Sequence, residues 1–273
     1  MPTNPLSFMS ANFMARQAGY RLSGSWAEGA RLTVAHCQPL ATYHQRLSEI
    51  FAEIRELGFD RLDLWECHLD ARWASDDHLA IVVDLLAEHG LTVASRAANA
   101  GADRATFLRS CEIARRLGTD IVGTSTPLLF AERERPWLIG TLRDQGLRLT
   151  HENHPHEKTA QMLLDIIGEA EDSPIGACLD TGWFATHGTD AGRAIRELGP
   201  RLFYLHLKDV PKVGLPHDTC EHGCGIVPLA DCLSALREVG YAGAISIEHE
   251  PEHEDPRPAI ARAAAWVRAW QAG

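Results

Sequence analysis

The sequence predicts a closed (β/α)8 barrel, and three observations carry that prediction. Short apolar runs alternate with longer amphipathic ones along the whole chain. Eight such apolar runs occur at a spacing of about 30 residues, the length of one βα unit. The amphipathic stretches repeatedly end in glycine, at Gly58, Gly90, Gly118, Gly146, Gly199 and Gly240. Glycine just past a helix takes the left-handed backbone conformation at little cost.

The candidate strands follow in order. "SFMSANFMA" opens the series. "RLDLWECHL" (61–69), "LTVASRAAN" (91–99) and "DIVGTSTPL" (120–128) each follow an amphipathic stretch. "LRLTHENH" (147–154), "IGACLDTG" (175–182), "LFYLHLKD" (202–209) and "AISIEHEP" (244–251) complete it. A doubly wound open sheet is the rival architecture. It normally carries a Gly-rich phosphate loop after an early strand, and none stands here. No linker or low-complexity segment divides residues 1–273, so one barrel domain is expected, with an extended first loop at about 15–40 on the catalytic face.

Bulk properties narrow the function. The 273 residues are 45% hydrophobic and 23% charged, enough chain and apolar content for a sizeable core. The formal net charge of −11 repels phosphate backbones and anionic lipid, which argues against nucleic acid as a partner. No apolar run is long enough to span a membrane, and the N-terminus does not read as a signal peptide. Seven cysteines at irregular spacing suit reduced thiols in a cytoplasmic protein. Cys111 and Cys178 sit in apolar runs as small core residues.

In a (β/α)8 barrel the active site lies at the C-terminal ends of the strands. The fifth to eighth candidate strands end in Glu152, Asp180, His206 and Glu248. Any one of them alone would read as a loop hydrogen-bonder. Three acids converging on one mouth without a cation would repel strongly, so together they point to a divalent metal. Carboxylates with one imidazole form a hard oxygen and nitrogen set, suited to Mn²⁺, Mg²⁺, Co²⁺ or Zn²⁺. Glu250 competes with Glu248 for the fourth place, being two residues on and on the same face.

The chain resembles the xylose-isomerase-like barrel superfamily, the sugar phosphate isomerase and epimerase group. "THENHP", "CLDTGW", "YLHLKDV", "GCGIVPL" and "GYAGAISIEHE" carry the resemblance, in that order, over nearly the whole chain. It implies that Glu152, Asp180, His206 and Glu248 bind one divalent ion, Mn²⁺ first among the expectations. It further implies that Glu152 and Glu248 remove and return a proton during epimerisation or isomerisation of a small sugar or keto-sugar through an enediolate. One departure stands out: the family commonly has His three residues after the Asp, and here that residue is Trp183. Its loss argues against the multi-metal phosphodiesterases of the endonuclease IV branch. Trp183 instead offers an apolar face for a sugar or an aromatic aglycone.

Two other functions remain open at this stage. A leaving group β to the same enolate would make the protein a metal-dependent lyase or dehydratase, acting on a 3-keto-sugar or 3-keto-glycoside, carbon-linked ones included. A non-catalytic sugar-binding or partner subunit is the alternative from another class, against which the four intact positions count. Trp65, His68, His154, Trp183, Lys208 and His217 are the candidate substrate contacts, with Glu66 beside them. Lys208 either balances enolate charge or pairs with Asp209. Asn153 is expected to orient Glu152, and His156 to lie in solvent. "HDTCEHGC" (217–224) matches no trusted zinc spacing. Homo-oligomers are common in the superfamily, which leaves a homo-oligomer open here without fixing the state. Trp266 and Trp270 are expected to pack on the barrel.

Overall fold

A computed structural model describes residues 4–273. Seven parallel strands form one curled sheet: β1 Leu6–Met9, β2 Arg61–Trp65, β3 Thr92–Ala97, β4 Leu149–Glu152, β5 Ile175–Asp180, β6 Leu202–Leu207 and β7 Ile245–Ile247. Their order is β3-β2-β1-β7-β6-β5-β4. Among the described residues ten α-helices surround it: α1 Trp26–Cys37, α2 Leu40–Glu56, α3 Asp76–His89, α4 Arg104–Leu117, α5 Arg135–Gln145, α6 Ala160–Ile167, α7 Thr181–Thr186, α8 Ala191–Leu198, α9 Leu229–Glu238 and α10 Arg257–Ala272.

The fourth candidate strand, 120–128, is the exception. It holds isolated bridges in place of a regular ladder. Those bridges nevertheless close the barrel. Thr124 N donates to Ala98 O (2.9 Å) and Ala100 N to Ser125 O (2.8 Å) on the β3 side. On the β4 side Val122 N donates to Arg148 O (2.9 Å), Thr150 N to Gly123 O (3.1 Å) and Glu152 N to Thr124 O (3.0 Å). Pro127 then opens a 3-10 turn, Pro127–Leu129, capped by Thr126. A residue without an N–H cannot extend a ladder, which is why the run ends short of its apolar limit. Eight positions therefore ring the barrel, and the 120–125 segment is the fourth.

Local signals set the helix ends. Ser75, Asp103, Thr159 and Asp190 cap α3, α4, α6 and α8 with side-chain oxygens. Gly90, Gly118 and Gly146 take left-handed backbone just past α3, α4 and α5, as the sequence predicts. The buried faces of the helices, such as Tyr43, Leu47, Ile50, Phe51 and Ile54 of α2, pack on the outer face of the strands. Inside the barrel Ile121, Cys178, Tyr204 and Ala244 form a separate buried cluster. The expected extended loop at 15–40 is a correction. It contains one turn of 3-10 helix, Arg16–Ala18, and all of α1, whose Gly29, Thr33 and Cys37 are buried. Of the last-helix tryptophans, Trp270 lies under the Arg237 guanidinium at 3.6 Å, while Trp266 is 38% exposed. No described helix is long and apolar enough to cross a membrane.

The closure depends on one close approach. A Cβ on Gly123 would sit 2.5 Å from Ala98 O and 3.1 Å from the Ala100 methyl. Gly123→Ala is therefore expected to force the closing segment away from β3 and to destabilise the fold by about 1–3 kcal/mol. Urea unfolding of the variant against the wild type measures it.

Candidate metal centre and its cavity

Strand register brings the four predicted positions to one depth. Glu152 ends β4, Asp180 ends β5, and Asp180 pairs across to His206 on β6. Glu248 directly follows β7 and is tied to its neighbour by Glu248 N donating to Leu207 O (3.0 Å). One ligand atom from each of Glu152, Asp180, His206 and Glu248 lies within 4.8 Å of the others, and all four side chains are buried. Contrary to the expectation from sequence, Asn153 does not orient the Glu152 carboxylate. Its amide clamps two strand ends instead: Nδ2 donates to Asp180 O (2.9 Å) and Oδ1 accepts from Asp180 N (2.8 Å).

Charge in this cluster is tightly balanced. His206 Nδ1 lies 2.6 Å from Glu152 Oε1 and 3.0 Å from Glu248 Oε2. Lys208 Nζ donates to Glu248 Oε1 (2.8 Å) and Glu250 Oε2 (3.0 Å), and stands 3.8 Å from Asp180 Oδ2. Burial pushes Asp180 up to about 7, against the Lys208 charge. Burial also works against ionised Glu248, but Lys208 and His206 outweigh it and hold that carboxyl well below the usual range. Glu152 is lowered in the same way, with His206 overcoming burial.

The residues fit a divalent cation. Asp180 Oδ1 caps α7 by accepting from Trp183 N (2.9 Å), leaving Oδ2 buried without a hydrogen-bond donor. Glu248 Oε2 is likewise buried without a well-directed hydrogen bond, having only the ion-pair contact to His206 Nδ1 at 3.0 Å. Orphaned carboxylate oxygens are costly in a protein interior, and a cation at their centre would satisfy both. Three carboxylates and one imidazole are a hard donor set. Glu250 stands outside the four-residue cluster, held by Lys208, and burial raises it to about 7.

A cavity of about 840 Å³ opens over the cluster. Trp65, Glu66, His154, Trp183, Lys208 and His217 line it, as the sequence suggests. Trp183 stacks face to face on His217, with ring centroids 3.7 Å apart and planes 4° apart. His217 Nδ1 lies 2.7 Å from Thr186 Oγ1, and burial lowers the imidazole to about 3, which keeps it neutral. Lys208 does not pair with Asp209. That carboxylate accepts the backbone N–H groups of Val210, Gly223, Gly225 and Val227 and so folds the loop after β6.

His68 is a correction. It is 1% exposed and does not line the cavity. The chain turns immediately after Trp65, so strand alternation stops there, and the His68 ring lies against Ser10 Oγ (3.0 Å). Burial takes it down to about 3, a neutral core imidazole. His156 is exposed, as expected. Two residues were not among the site candidates from the sequence. Trp26 lines the cavity from the start of α1. Asp63, fully buried on β2, places Oδ2 3.4 Å from His206 Nε2, while its Oδ1 accepts from Ser7 Oγ (3.0 Å) and the Tyr204 hydroxyl. Its signal was an acid in the middle of "RLDLW", on the same strand face as Trp65.

Comparison with known proteins agrees with this geometry at the level of the fold. The family model described as xylose isomerase-like TIM barrel matches residues 51–270. A curated relative, the 3-dehydroshikimate dehydratase of Pseudomonas putida, is 26% identical over 158 residues, 51% of this chain and 25% of the relative. An uncharacterised protein of Methanocaldococcus jannaschii is 26% identical over 120 residues, 41% of this chain and 40% of its own. The chain thus spans well under half the length of the curated relatives it matches. Among solved structures, an L-ribulose 3-epimerase superposes with a TM-score of 0.65 at 18% identity, covering 99% of this chain and 95% of that one.

The Asp63 contact bears on cation affinity. With a cation in the cluster displacing the Nδ1 proton, a carboxylate 3.4 Å from Nε2 would favour the tautomer that keeps its proton there and offers Nδ1 as an electron-pair donor. Asp63→Asn is expected to weaken Mn²⁺ binding by about 10–100-fold, read by titration calorimetry, with the far-UV circular dichroism spectrum unchanged.

Proposed function

Since the chain belongs to the xylose isomerase-like TIM barrel family, we propose that it is a divalent-metal-dependent isomerase or epimerase of a keto-sugar, working through an enediolate. The observation that carries this reading is the convergence of Glu152, Asp180, His206 and Glu248 under a cavity. A bound divalent ion would supply Lewis acidity toward adjacent hydroxyl and carbonyl oxygens of the sugar.

The chain's own residues divide the remaining work. Glu152 Oε1 faces His206, while Oε2 has no hydrogen-bond partner among the described residues. That free oxygen makes Glu152 the better base for removing the proton α to the carbonyl. Glu248 enters from β7, three strand positions away from β4, with Oε1 held by Lys208. It is the group to return a proton from the other side, and Lys208 is the group to balance charge as the enediolate forms. Trp183 and His217 provide a flat wall and a neutral imidazole for positioning the sugar.

Elimination is the second reading, favoured by the dehydratase among the curated relatives. It begins with the same proton removal and ends with loss of a β substituent. The non-catalytic reading predicts binding alone.

Protein purified without chelator is expected to carry about one divalent ion per chain by elemental analysis; wild-type protein that takes up none would sink the proposed centre. Incubation with ketoses and 3-keto-glycosides in D₂O separates the reactions. Deuterium entry without loss of a group marks epimerisation or isomerisation, and release of water or an aglycone marks elimination. Glu152→Gln and Glu248→Gln are each expected to slow exchange by about 10²–10⁴-fold. Exchange at the wild-type rate in both would remove them from the mechanism.

A further inference from the structure

The cavity has two chemically different halves. Numbering the eight barrel positions in sequence, the fifth to eighth carry the four cluster residues, and Lys208 joins them. The other half has an apolar floor, edged by Glu66, Asn99, Thr124 and Ser125. Met9, Ala11, Trp65 and Ala97 line it and belong to one continuous buried cluster. Trp26 leans edge-on against Trp65, with centroids 5.4 Å apart, and remains 40% exposed. Trp65 ends the second strand and Trp183 follows the sixth position, so the two indoles face the cavity from opposite sides of the ring.

Charge around the mouth excludes one kind of ligand group. Among the described residues the lining holds eight carboxylates, one ammonium, four imidazoles and no guanidinium, and the one imidazole in the cluster, His206, is already set against Glu152 and Glu248. The ammonium, Lys208, is already committed to Glu248 and Glu250. Barrels of this class frequently hold phosphate with the loops after the seventh and eighth strands. Here the eighth-strand loop presents Glu248, Glu250, Glu252 and Glu254 to the cavity, and the seventh-strand loop presents Asp218. A divalent ion would not reverse the local sign. A phosphate or carboxylate on the substrate would meet like charge with no arginine to hold it.

Size points the same way. About 840 Å³ lies toward the upper end of the ~300–1,000 Å³ range of ligand sites. A single sugar ring over the carboxylates would leave the apolar half filled only with water.

We infer that the substrate is an uncharged sugar bearing a flat apolar substituent, a glycoside rather than a sugar phosphate or sugar acid. The sugar ring lies over the carboxylate half and the substituent against Trp26 and Trp65. This orientation rests on the keto-sugar reading above. Stacking on the indoles supplies the affinity that a bare sugar lacks, and the acidic rim rejects anionic analogues.

Titration calorimetry on Mn²⁺-loaded protein with two probe pairs tests the inference. Phenyl β-D-glucopyranoside is expected to bind at least about fivefold more tightly than methyl β-D-glucopyranoside. D-fructose is expected to bind at least about fivefold more tightly than D-fructose 6-phosphate. Trp26→Ala should bring the phenyl-to-methyl ratio close to unity, and Trp26→Phe should restore most of it. Equal affinities within either pair, a tighter phosphate, an unchanged ratio in Trp26→Ala, or no binding of any probe would overturn the inference. Wild-type protein that exchanges deuterium yet prefers the phosphate defeats this inference alone. Protein that keeps both ratios but exchanges no deuterium with any sugar defeats the proposed reaction alone.

Discussion

Buried like charge is the constraint around which the mouth of this barrel is organised. Glu152, Asp180, Glu248 and Glu250 all stand within a few residues of a strand end, and none has free access to bulk water. Such a set is stable only if positive charge is built among it. His206 and Lys208 provide that charge from one strand and its continuation, two residues apart and therefore on one face. The arrangement still leaves Asp180 Oδ2 and Glu248 Oε2 with ion-pair contacts but no well-directed hydrogen bond. The protein thus satisfies most of the cluster internally and leaves an oxygen-rich opening of the size and sign of one small cation.

Strand alternation transmits this constraint down into the barrel. Asp63 and Trp65 share a face of β2, as do Cys178 and Asp180 on β5 and Tyr204 and His206 on β6. The lower member of each pair is buried inside, and the upper one reaches the site. Asp63 therefore meets His206 from below while Trp65 lines the cavity above. A one-residue slip of any of these strands would exchange interior for exterior groups and destroy the site. That coupling between register and chemistry explains why buried polar residues such as Ser7, Asp63 and Ser246 are found so deep in the barrel.

The barrel was legible because periodicity and glycine caps are local signals, repeated often enough to outweigh individual ambiguities. The same holds for Glu152, Asp180, His206 and Glu248, which stand at equivalent ends of successive strands. Legibility failed where an outcome depended on three-dimensional context. His68 and Trp65 are three residues apart in one apolar run, yet a turn between them sends one ring into the core and the other into the cavity. Asp63 looked like an ordinary interruption of a strand because its partners, Ser7 and Tyr204, are 56 and 141 residues away. The helix in 26–37 carries a glycine and modest amphipathicity, and its place over the mouth follows from tertiary packing against Met14 and its neighbours.

The irregular fourth position gives the barrel a seam. Regular ladders join the seven strands from β3 round to β4, whereas isolated bridges join the 120–125 segment to its neighbours. Fewer consecutive backbone bonds mean a lower cost of local opening. The seam stands diametrically opposite β7, and its Thr124 and Ser125 line the cavity. Stiffness and compliance are thereby separated within a single ring. The laddered strands on both sides are braced, and local opening is concentrated at the 120–125 segment, whose Thr124 O accepts from Glu152 N.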